Sequence, residues 1–128
     1  MKEYQEKLEW KKLVQLSVRY VYEEARKLDT WKSDEGTTIR SAMKVLNKQG
    51  VPPQSCWKYK VHQTDQPCPN AADLAKPYRI QSYAYLETPE EMRESLFVNG
   101  PFVAGVFVYD KAWTAAEKTG IIPMPAKD

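Results

Sequence analysis

The residues best equipped for chemistry lie in one short run, QSCWKYKVHQTDQPC, which holds Cys56, His62 and Cys68. A thiol and an imidazole suit nucleophilic catalysis, in which the base draws off the proton and the thiolate attacks a carbonyl. The flanking residues argue against it. Pro52 and Pro53 precede Cys56 and KYKVHQ follows it, so no helix begins there to lower the thiol pKa. A thiol with neither a positioned base nor a helix end stays mostly protonated near neutral pH. Metal binding fares no better: five residues separate His62 from each cysteine, which is not a usual zinc spacing, and no fourth ligand stands nearby. His62 reads as a surface-loop histidine, and no metal or cofactor is expected. The two cysteines themselves read as a disulfide closing a loop poor in regular structure, which implies a secreted protein or a thermophilic source. The alternative is a pair of unpaired buried thiols.

The elements around this run are legible from periodicity and caps. KEYQEKLEWKKLV is a charged helical pattern with Tyr4, Leu8 and Trp10 on its less polar side and Glu3–Lys7 four apart. It has no good N-terminal cap and reads as the tail of a helix. Ser17 is an N-cap for VRYVYEEARKL, in which Val18, Val21, Tyr22 and Ala25 share a face. DTWKSDEG is a loop, with Asp34 and Glu35 as solvated charges or an acidic rim. Thr37 or Thr38 then caps IRSAMKVLNKQ, where Ile39, Ala42, Met43 and Leu46 fall at helical spacing, and Gly50 with Pro52-Pro53 ends it. Residues 51–69 form a long ordered loop, and NAADLAK makes a helical turn. YRIQSYAYL alternates like a strand, Thr88-Pro89-Glu90-Glu91 is a capping box, and FVAGVFVY reads as a buried strand. TGIIPMP predicts a turn, a short strand and an irregular exit. Helices come first and strands later, which predicts an α+β protein. The expected division is a helical region over 1–66 and a partial β lobe over 67–128.

Composition sets the outer limits. With 128 residues and 42% hydrophobic content, the chain can bury the core of one domain. A formal charge of +2, with both signs interleaved, gives no basis for nucleic-acid binding. No apolar run approaches the length of a membrane span, so no membrane partner is expected.

Taken in order, these segments resemble the middle of a papain-like cysteine peptidase. LSVRYVYEEARKL is similar to the family's Leu-Ser helix, and DEGTTIRSAMKVLNKQGV to its glycine-led substrate wall and the following helix. Trp57 and Tyr59 resemble its aromatic pair after a Gly-Val turn. EEMRESLFVNGPFVAGVFVYDKAW resembles the helix, Gly-Pro and first long strand of its barrel lobe, and TGII the segment before its histidine. The resemblance covers nearly the whole chain.

The resemblance implies a helical region followed by part of a β-barrel lobe, truncated at both ends. The family's nucleophile precedes the Leu-Ser helix, in a Cys-Gly-Ser-Cys-Trp run, and its histidine follows the TGII-like turn. Gln54-Ser55-Cys56-Trp57 is similar to the nucleophile run but stands in the wrong place along the chain. No catalytic residue is therefore expected here, and the isolated chain is expected to be an inactive piece of a peptidase whose substrates are peptides or proteins. Gly36 aligns with the glycine that lets a substrate backbone approach, or is a plain loop glycine ahead of the Thr cap. Thr38 and Gly105 align with positions lining the main specificity pocket; Gly105 can equally reflect close packing in a strand. Tyr20, Tyr22, Trp57, Tyr59, Tyr83 and Tyr85 are expected in core and interlobe packing. A competing expectation is a non-catalytic domain that binds peptides or self-assembles, as a homo-oligomer or with a complementing chain.

Overall fold

The computed structural model describes residues 1–30, 36–59, 65–109, 113–114, 116–117 and 119–123. Among the described residues the helices run in order α1 (Lys2–Trp10), α2 (Val18–Leu28), α3 (Ile39–Lys48), α4 (Ala71–Ala75) and α5 (Pro89–Asn99). A 3-10 turn, Lys76–Tyr78, follows α4.

The helix starts are set by side chains that satisfy orphan backbone donors. Ser17 Oγ accepts the Tyr20 N–H at 3.1 Å and donates to the Trp57 carbonyl oxygen at 2.6 Å, so one hydroxyl caps α2 and ties down the following loop. Thr38 Oγ1 accepts the Ser41 N–H at 3.0 Å to cap α3. Thr88 and Glu91 form the reciprocal box at α5, with Pro89 in the first turn. At the far end of α3, Gly50 turns at φ +86° and its N–H donates to the Val45 carbonyl at 3.0 Å.

Helices α2 and α3 lie antiparallel. Tyr20, early in α2, donates its hydroxyl to Gln49 just past α3 at 3.1 Å, while Asp29, just past α2, accepts from Ser41 in the first turn of α3. Between these ends sit Ala25 and Val45, both essentially buried, joined in one core by Tyr20, Trp57, Ala71 and Ala75. Sinking Val45 alone contributes about 2 kcal/mol. Cys56 and Cys68 are joined as a disulfide with their Cα atoms 5.1 Å apart, and both pack against this core. Arg19 lies over the Trp57 ring, 4.8 Å from its centroid, and reaches Asp65 at 2.7 Å. An antiparallel bridge pairs Leu16 with Pro53, flanked by Ser17 N–H to Pro52 O at 2.9 Å.

Several expectations need correction. The buried face of α2 is Arg19, Tyr20 and Ala25, and Val18 is 71% exposed. The buried face of α3 is Ser41 and Val45, with Ala42 packed beside it and Ile39 exposed. In α1 the buried residue is Glu6, paired with Lys2 at 2.6 Å, whereas Tyr4, Leu8 and Trp10 are exposed. A short polar face can be buried when its charge is paired, and period alone does not distinguish that from an apolar face. Trp57 and Tyr20 are core residues as expected, but Tyr59, Tyr83 and Tyr85 are exposed.

The β part of the expected α+β architecture does not form among the described residues. YRIQSYAYL and FVAGVFVY carry no ladder, and Phe107 is 92% exposed where a buried strand was expected. Alternation and apolarity make a segment fit for a sheet, but a strand exists only when another segment takes its backbone hydrogen bonds.

Candidate functional site

The segment joining α2 to α3 reappears among the described residues at Gly36, which has φ +105°. That value lies in the region L side chains rarely adopt, so glycine is required by conformation. Among the described residues beyond its chain neighbours, nothing lies within 4 Å of where a Cβ on Gly36 would stand. This glycine therefore leaves one side of its backbone open, and no backbone–backbone hydrogen bond among the described residues engages it.

Two residues on, Thr38 has extended backbone at φ −81° and ψ 148°, and its hydroxyl is taken up by the helix, accepting from Ser41 N–H and meeting Ser41 Oγ at 2.9 Å. Gly105, from the other half of the chain, approaches the side chain of Ile39. A Cβ there would meet Ile39 Cδ1 at 4.0 Å, an ordinary contact distance. Gly36 and Thr38 thus border one corner at the start of α3, and Gly105 approaches the Ile39 side chain of that helix. Gly105 is exposed, so tight packing within a strand does not account for it.

Sequence reasoning missed the residue that organises this corner. Asp29, the first residue after α2, accepts Thr37 Oγ1 at 2.6 Å on one carboxylate oxygen and Ser41 Oγ at 2.7 Å on the other. The Thr37 bond, followed by that of Ser41, holds the Asp29 carboxyl below the ordinary carboxylate range, with the Thr38 backbone N–H helping and desolvation opposing. An aspartate at a helix end, eight residues before a Thr-Thr cap, was the available signal.

Cys56, with its sulfur bonded to Cys68, has no thiol to ionise, and no cysteine among the described residues is free. His62, Asp34 and Glu35 lie outside the described residues. A separate apolar hollow of about 180 Å³ opens between the start of α1 and α2, bordered by Met1, Leu16, Val18, Val21, Leu46 and Val51.

No family model matches the chain, and no curated protein matches it. The crystal structure of xylellain, a cysteine protease from Xylella fastidiosa, is similar to it with a TM-score of 0.64 at 22% sequence identity. The fold is papain-like. The likeness to xylellain takes in 77% of this chain and 43% of that one, so the chain spans less than half the length of xylellain. At that identity the papain-like likeness concerns the fold.

Proposed function

We propose that these residues are the substrate-accepting part of a papain-like cysteine peptidase, in which Gly36, Thr38 and Gly105 face an extended peptide. The observation that carries this reading is the open side of Gly36, a glycine demanded by its φ and not crowded by any neighbour among the described residues. A peptide backbone can approach such a position and hydrogen-bond to it in strand fashion, where a side chain would intervene. The absence of a Cβ at Gly105 widens the space beside Ile39 for a substrate side chain.

Peptide hydrolysis in such enzymes proceeds through a thioester, made by a thiolate nucleophile, a histidine base and an oxyanion donor. Both cysteine sulfurs of this chain are engaged in the Cys56–Cys68 bond. On this reading the chain by itself cleaves no peptide bond, and the nucleophile and base come from further sequence or from a complementing chain. Fluorescence anisotropy with a fluorescein-labelled peptide of alternating Thr and Val tests the binding half. Saturable binding that is lost on N-methylating the peptide backbone supports strand-like pairing. Robust thiol-dependent cleavage by the isolated chain would overturn the catalytic half.

A second reading, a non-catalytic self-assembling domain, is favoured by the exposed run Val103, Val106, Phe107, Val108 and Tyr109. Contiguous apolar surface of this kind marks association sites. A monodisperse monomer in light scattering at high concentration counts against it.

A further inference from the structure

We propose that Asp29 is a positioning residue for peptide binding, its carboxylate clamping Thr37 and Ser41 so that Gly36 is held with its open side toward the incoming backbone. The inference rests on the peptide-binding reading above and adds the residue on which the geometry of that wall depends.

The geometry separates this role from ordinary helix capping. Thr38 already caps α3 through the Ser41 N–H, so the helix start does not need Asp29. The bond from Thr37 Oγ1 to Asp29, at 2.6 Å, acts outside the helix, on the residue next to Gly36. The bond from Ser41 Oγ, at 2.7 Å, anchors the same carboxylate to the first turn of α3. Asp29 is itself fixed by its N–H, which donates to the Arg26 carbonyl at 3.2 Å at the end of α2. A rigid helix end is thereby coupled to the residue beside a glycine, whose backbone has wide conformational freedom. Without that coupling the open conformation becomes one of several, and binding weakens by the fraction of time it is lost.

The chemistry suits a carboxylate. Ionised aspartate offers two acceptor oxygens and can serve both hydroxyls at once, whereas an amide keeps one. Charge-assisted hydrogen bonds of this kind are stronger than neutral ones.

The test uses the full chain, the labelled Thr/Val peptide, and the variants Asp29→Ala, Asp29→Asn and Thr37→Val, all well below their melting temperatures. Asp29→Ala is expected to weaken peptide binding about tenfold. Thr37→Val, which leaves the helix cap untouched, is expected to reproduce most of that loss, and Asp29→Asn to recover part of it. Hydrogen exchange of the amides at 36–38 should quicken in Asp29→Ala while that of Val45 stays slow. If the parent chain binds the peptide and both Asp29→Ala and Thr37→Val bind it equally well, the positioning role is overturned and the binding reading stands. If the parent chain does not bind the peptide at all, the binding reading falls and this inference with it.

Discussion

A Cβ on Gly50 would stand 2.1 Å from the carbonyl oxygen of Ala75. The end of α3 and the end of α4 approach so closely there that only a hydrogen atom fits between them. Gly50 also has φ +86°, so a substitution meets both a backbone clash and an unfavourable conformation. Gly50→Ala is expected to destabilise the protein by about 3 kcal/mol or more, read as a lowered urea midpoint. Gly36→Ala provides the contrast. It shares the positive φ but meets no atom of the described residues beyond its chain neighbours, so its cost is expected to be about 1 kcal/mol, while peptide binding is lost.

Reduction of Cys56–Cys68 releases a loop of sequence separation 12 that carries little helix or strand. Constraint of the unfolded chain by such a closure is worth about 3 kcal/mol. Cys56→Ser/Cys68→Ser, or dithiothreitol added to the parent chain, should lower the urea midpoint by a corresponding amount. Equal midpoints with and without reductant would count against a stabilising role.

Arg19 joins α2 to the same loop. Its side chain is 8% exposed, lies over Trp57 and reaches Asp65, whose own side chain is 52% exposed. Most of its contribution comes from packing on the ring, because an ion pair with a half-exposed carboxylate adds little. Arg19→Ala should therefore cost about 2 kcal/mol and Asp65→Asn less than about 1 kcal/mol. Arg19→Lys should fall nearer to alanine than to arginine, since lysine lacks the planar face that stacks. Chemical denaturation of the three variants orders them.

Acid should loosen two termini. Bonds from Thr37 and then Ser41 depress the pKa of Asp29, and backbone N–H groups of Glu87 and Thr88 depress that of Glu91. A carboxyl whose folded pKa is depressed contributes stability above its unfolded value, and that stability is lost as pH falls through the folded value. The urea midpoint is expected to fall between about pH 5 and pH 3. Asp29→Asn and Glu91→Gln should each flatten part of that slope, while lying below the parent at pH 7.

The legible and illegible parts of this chain divide by sequence distance. Ser17, Thr38 and the Thr88–Glu91 box were readable because a cap and its partner are three residues apart and need no other part of the fold. Gly50 as a stop was readable for the same reason, although its contact with Ala75 was not. The faces of α2 and α3 were only half readable: Arg19 and Ser41 are buried because Trp57, Asp65 and Asp29 receive them from elsewhere in the chain. Asp29 escaped notice because its partners lie 8 and 12 residues away, beyond the reach of a local cap.

What the sequence by itself determined is the helical skeleton, its caps and stops, and a pair of cysteines free to be bonded or not. Tertiary structure alone decided that Cys56 and Cys68 meet, that Gly105 approaches the Ile39 side chain, and that residues 103–109 lie exposed with no ladder among the described residues. The physical reason is the same in each case. Caps and turns are satisfied by atoms a few bonds along the chain, whereas a disulfide, a glycine contact and a strand depend on segments that only the folded backbone brings within reach.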